Sequence, residues 1–208
     1  MSSIVEICNR ALANLSHSIR IADIDENSNE ADLCRLYYDS SRKRTLRSFP
    51  WNFAMAHELL AELSDDPVND RWSVMYAMPS GCLAVRGILP EPSGGPVNKF
   101  EVALNSAKNA KVILCDVGDA TCRFTADIED TELFDPQFDD ALSWHLASQM
   151  AIALTGSVQM KQMAETQFQN VINSTMVSDS SEGQPDDVPE AEWIRARFDG
   201  ATNLQLDT

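Results

Sequence analysis

Apolar positions are densest between Phe134 and Phe168. Asp135 offers an N-cap, and Pro136 follows at the first helical position, where a missing N–H costs nothing. From Phe138 to Leu154, apolar or small residues point in nearly every direction (Phe138, Ala141, Leu142, Trp144, Ala147, Met150, Ala151, Ile152, Leu154). The segment therefore predicts a helix covered by neighbours on most sides. Thr155-Gly156-Ser157 closes it and caps the next helix. Met160, Met163, Ala164, Gln167, Phe168, Val171 and Ile172 then recur by threes and fours, laying one stripe back on the first helix. A helical hairpin over residues 136–155 and 157–177 is the expected spine.

The N-terminal third carries the same period. Ser3 and Glu6 spell a capping box, and Ile4, Ile7, Cys8, Ala11, Leu12 and Leu15 fall on one stripe, giving a helix over 3–16. A second helix over 27–49 starts near Asn27 and Glu30. It repeats through Ala31, Cys34, Tyr38, Ser41, Thr45 and Phe49 and stops at Pro50. Residues 51–63 have helical propensity but follow a proline, and extended structure is the favoured reading; Asp65-Asp66-Pro67 is a turn. From Arg71 the period becomes two. Trp72, Val74, Tyr76 and Met78 alternate before a Pro79-Ser80-Gly81 turn. Strands follow over 82–89, at Phe100–Leu104, at 112–115 and at 122–124, with a Pro- and Gly-rich loop from Pro90 to Pro96.

These elements predict an α+β protein, mainly α. A four-helix core from 3–50 and 135–177 carries a small antiparallel sheet inserted at 71–126, within one domain spanning 1–177. Residues 178–208 hold eight acidic residues against Arg195 and Arg197 and too little apolar surface to fold alone, which predicts an acidic, flexible, extended tail. One apolar island interrupts it, Trp193-Ile194-Arg195-Ala196-Arg197-Phe198, of the kind that docks on a partner or on its own subunit.

The formal net charge of −16 argues against tight binding to a phosphate backbone. Five scattered cysteines in apolar surroundings read as reduced, buried small hydrophobes. No apolar run is long enough to span a bilayer, and MSSIVEIC lacks a signal-peptide layout, so a soluble, cytosolic chain with no membrane partner is expected. Asp23, Asp25, Asn27 and Asn29 imitate a calcium loop, but Ser28 replaces its glycine and Cys34 its twelfth-position acid. His17, His57 and His145 have no partner at ligand spacing. Asp139 and Asp140 merely complement a helix N-terminus, and no catalytic motif is present. The expectation is no enzyme, no metal and no cofactor. The sole basic cluster, Arg42, Lys43, Arg44 and Arg47 at the end of the second helix, is either a solvated helix end or a contact with an acidic neighbour.

Four phrases occur in order: IVEICNRALANL, RTLRSFPWNFA, WSVMYAMPSGCLAV and FDPQFDDALSWHLASQMAIALTGS. Together they resemble the tail tubular protein A family, the head-to-tail adaptors of short-tailed bacteriophages (podoviruses). The resemblance covers roughly residues 3 to 177, with Trp193-Ile194-Arg195-Ala196-Arg197 echoing a C-terminal motif. One departure is Asn14-Leu15-Ser16, where Leu-Gly is the expected ending. The resemblance implies a ring-forming structural protein of the virion, typically twelve subunits, assembled in the host cytoplasm. Its partners are further copies of itself, the portal protein and the tail nozzle protein, and DNA passes through without specific binding. The residues themselves, read for charge and apolar character, give the interface candidates: Arg42, Lys43, Arg44 and Arg47 with Trp193, Ile194, Arg195, Arg197 and Phe198. The alternatives from other classes are a cytosolic enzyme with a dispersed site and a virion-associated binding module.

Overall fold

The computed structural model describes residues 3–65, 67–90 and 98–182. The Ser3 hydroxyl accepts from the Glu6 N–H and the Glu6 carboxylate accepts from the Ser3 N–H, so the capping box closes and α1 runs Ile4–Asn14. Helix α2, Asn29–Ser48, is capped by Ser28, whose hydroxyl accepts from the Ala31 N–H, rather than at Asn27. Helix α3, Pro136–Thr155, is capped by Asp135, and Gly156 at φ 65° supplies the left-handed residue that reverses the chain. Helix α4 runs Val158–Glu182, five residues beyond the expected end of the helix.

Helix α3 is the spine: eleven of its residues are buried, and it packs against α1, α2 and α4. Its covering is less complete than the composition suggests. Trp144 is half-buried and Ile152 is 49% exposed. The helical core is closed at the N-terminal end of α3 by a ring cluster in which Phe138 packs edge-on against Trp51, Phe53 and Phe134.

The extended reading of residues 51–63 is right beyond a short 3-10 turn at Asn52–Ala54, where strand β1 spans Met55–Leu59. The remaining strands are β2 Val74–Ala77, β3 Cys82–Leu89, β4 Phe100–Leu104, β5 Lys111–Cys115 and β6 Thr121–Ala126. They form two three-stranded antiparallel sheets, ordered β1-β6-β3 and β2-β5-β4, instead of one. The division has a local cause. The chain pairs with β6 through Leu59 and then crosses to the other sheet, where Glu62 bridges Tyr76 and the Leu63 N–H donates to the Met75 carbonyl. Both sheets face one core containing Leu60, Tyr76, Ile88, Ile113, Cys122 and Phe124.

Arginines stitch this β layer to the helices. Arg42 of α2 reaches Asp127 and the Ile128 carbonyl just beyond β6. Arg47 donates to the Leu83 carbonyl, and Arg86 of β3 donates to the carbonyls of Arg47 and Phe49. Among the described residues the architecture is α+β and mainly α, with four helices and two small antiparallel sheets. The Pro90–Pro96 loop apart from Pro90, and the C-terminal island, lie outside the described residues.

Candidate functional site

The basic cluster of α2 is not one surface. Arg42, 2% exposed, turns inward. Its Nη1 donates to Asp127 Oδ1 at 2.5 Å and to the Ile128 carbonyl at 2.6 Å, while Nη2 donates to Asp39 Oδ1 at 2.7 Å. Burial alone pulls its pKa down, but the carboxylates of Asp39 and Asp127 more than offset this and the guanidinium is held more firmly protonated. Arg42 is therefore a structural cation and is withdrawn from the surface patch. Lys43 pairs with Asp39 at 2.8 Å, and the exposed Arg44 lies 3.6 Å from Glu165 on α4. Only Arg47 leaves the helix side and turns toward β3. Trp193, Ile194, Arg195, Arg197 and Phe198 lie outside the described residues.

The acidic link before α2 spends its oxygens on itself. Glu26 accepts from the N–H groups of Ala22 and Asp23 and from the Ser28 hydroxyl, and Asp23 accepts from the Asp25 N–H. The Ser28 bond first, then the backbone bonds, hold the Glu26 carboxyl below its usual range. Among the described residues no cluster of His, Cys, Asp or Glu could hold a metal ion. Cys8, Cys34, Cys115 and Cys122 are buried and Cys82 is half-buried. His145 sits in the core, edge-on to the Phe168 ring at 5.1 Å, with neither ring nitrogen hydrogen-bonded. Desolvation, with the nearby Arg44 charge, pulls its pKa down to about 4.

What the sequence does not reveal is a groove of about 500 Å³ on the outer face of the β1-β6-β3 sheet, lined by Pro50, Asn52, Met55, His57, Arg86 and Arg123. Strand periodicity creates half of it. Ala56, Cys122 and Phe124 point into the β core, so Met55, His57 and Arg123 point outward, and the register sets His57 opposite Arg123. A β-bulge supplies the rest. Between Val85 and Gly87 the register with β6 slips by one residue, and Arg86 is the extra one. Gly87, opposite Arg123, lies beneath that guanidinium: a Cβ there would sit 3.5 Å from Arg123 Nη2.

Arg86 is fixed in place by neutral acceptors: Nε to Thr125 Oγ1 at 2.8 Å, and Nη2 to the carbonyls of Arg47 and Phe49 at 3.0 and 3.2 Å. Among the described residues it has no carboxylate partner, and neither does Arg47. Burial, and then the like charge of Arg47, pull the Arg86 pKa down. The sequence signal was faint: a glycine directly after an arginine inside a strand hints at a bulge. Arg86 and Arg123 are united only by the register. The chain as a whole matches no protein-family model and no curated protein.

Proposed function

We propose that this chain is a ring-forming structural adaptor of a short-tailed bacteriophage, joining the portal to the tail nozzle and lining the channel through which DNA leaves the capsid. The observation that carries the reading is the order of four phrases resembling the tail tubular protein A family. They fall on α1, on the end of α2 with the 3-10 turn, on β2 and the start of β3, which lie in different sheets, and on α3, which are separate elements from both layers. A coincidence of one local motif would not distribute itself in that way.

The charge supports the same role. With 32 acidic against 16 basic residues, a ring of such chains presents DNA with repulsion, and the duplex slides instead of adhering. That repulsion acts over about 8 Å at physiological ionic strength, so it governs the wall of the channel and not distant surfaces. The work of the protein is then to bind copies of itself, the portal and the nozzle, and no chemical step is assigned to it. Mixing the purified chain with its portal and imaging the product tests this. Twelvefold rings seated beneath the portal are the expected result. A compact monomer that ignores the portal at every concentration overturns the proposal.

A further inference from the structure

The groove on the outer face of the β1-β6-β3 sheet is a built cationic site in a strongly acidic chain. Arg86 is turned onto that face by a bulge and held by three neutral acceptors. Those bonds occupy Nε and Nη2, and Nη1 is left without a partner among the described residues. Arg123 lies across Gly87, and His57 completes the row from the neighbouring strand. Pro50 and Met55 supply apolar walls. Two cationic side chains between apolar walls suit a carboxylate-bearing peptide, because charge-assisted N–H···O bonds to a carboxylate are stronger than neutral ones.

One such peptide belongs to this chain. Twenty-six residues follow Glu182, and after Gly183-Gln184-Pro185 they run through Asp186, Asp187, Glu190 and Glu192 interleaved with Val188, Pro189 and Ala191. Helix α4 runs back along α3 toward the end at which Phe138 lies and continues to Glu182. It packs antiparallel on α3, and by the register that sets Phe168 against His145 it reaches the level of Phe138 near Thr175. The Phe138 ring packs on Trp51 and Phe53, the residues on either side of Asn52 in the groove wall. At about 3.3–3.6 Å per residue, the ten residues from Gly183 to Glu192 reach at most about 33–36 Å from the end of α4.

We propose that the acidic segment Asp186–Glu192 of this chain docks in the Arg86–Arg123–His57 groove, its carboxylates on the two guanidinium groups and its apolar residues against Pro50 and Met55. A nucleic-acid phosphate would find the same arginines, but a chain of net charge −16 repels a polyanion over the rest of its surface. The inference does not depend on the adaptor role: docking can be read in a chain that never forms a ring, and a ring can form without it.

A photocrosslinking phenylalanine in place of the exposed His57, in the full-length chain, tests it by mass spectrometry of the crosslinked peptides. The expected products join position 57 to the segment 183–194. Mixing isotopically heavy and light protein shows whether the segment comes from the same copy or the next, and either result supports the docking. The crosslinks disappear at about 0.5 M salt, where the Debye length shrinks to a few ångströms. They also disappear when Asp186→Asn, Asp187→Asn, Glu190→Gln and Glu192→Gln are combined, a change confined to the tail that leaves both layers of the fold untouched. Crosslinks to other segments, none at low salt, or crosslinks that persist in the neutralised tail overturn the proposal. So does a duplex oligonucleotide that captures position 57 in place of the tail.

Discussion

Arg42 has almost no route to water, so its charge is met inside the protein by Asp39, Asp127 and the Ile128 carbonyl. Removing the cation leaves those oxygens facing one another across a space their partner filled. Arg42→Ala is expected to lower the unfolding free energy by about 1–3 kcal/mol, because the carboxylates left behind, Asp39 and Asp127, are partly solvated and keep Lys43 beside them. A urea titration with an unchanged midpoint would count against that. The inward turn was available from the sequence, because Arg42 stands four residues after Tyr38 and three before Thr45, on the stripe that α2 buries. Charge counting grouped it with Lys43, Arg44 and Arg47; periodicity separates it. His145 gives a second residue-level test. Its folded pKa of about 4 lies below the value of about 6.5 expected when unfolded, so between those pH values the unfolded chain takes up a proton that the native chain refuses. Its contribution is present in full above pH ~6.5 and is lost as the pH falls toward 4, roughly 3 kcal/mol in all. Thermal melts from pH 7.5 to 4.5 are expected to show this decline, and His145→Leu to flatten it. Parallel curves for the two proteins would place the acid sensitivity elsewhere.

At the scale of elements, α3 determines how the helices meet, and its individual positions differ sharply in weight. Leu146 is fully buried, and Leu146→Ala is expected to cost about 2–5 kcal/mol through lost burial and the cavity left behind. Leu36 on α2 is 66% exposed, and Leu36→Ser is expected to stay within about 0.5 kcal/mol of the parent. Equal effects in a denaturant series would mean that the helices pack in another rotation. All four helices could be read from caps and spacing because both signals are local: Ser3 with Glu6, Asp135 with Pro136, and Gly156. The sheets were legible only as strands. Which strand lies beside which depends on contacts tens of residues apart, and a crossing such as the one at Leu60–Leu63 leaves no local mark. The same reasoning explains why the groove stayed hidden. Arg86 and Arg123 are 37 positions apart and share a face only because the register with β6 and the bulge at Arg86 bring them there. A register slip of one residue would send Arg123 into the core and Phe124 outward.

For the whole molecule, the division of labour lies between two self-contained layers and the sequence that follows them. The helical core and the β core are each closed by their own apolar residues and joined by Arg42, Arg47 and Arg86, all before residue 183. Residues 186–208 bring Trp193, Ile194 and Phe198, which gain roughly 1.5–3 kcal/mol each if buried, beside the arginines that most often anchor interfaces. They also bring the acidic segment assigned to the groove, whose solvent-facing ion pairs contribute about 0–1 kcal/mol apiece to the stability of a lone chain. Deleting residues 186–208 is therefore expected to leave the melting temperature of the isolated chain nearly unchanged, since neither core loses a residue. On the adaptor reading it removes the island that holds a neighbour or the portal, and incorporation into portal complexes falls to background. The two measurements separate the roles of the segment. A truncated chain that melts several degrees lower has lost part of a core, and one that still joins the portal at the normal stoichiometry never needed the island; either result would overturn the assignment of residues 186–208 to assembly.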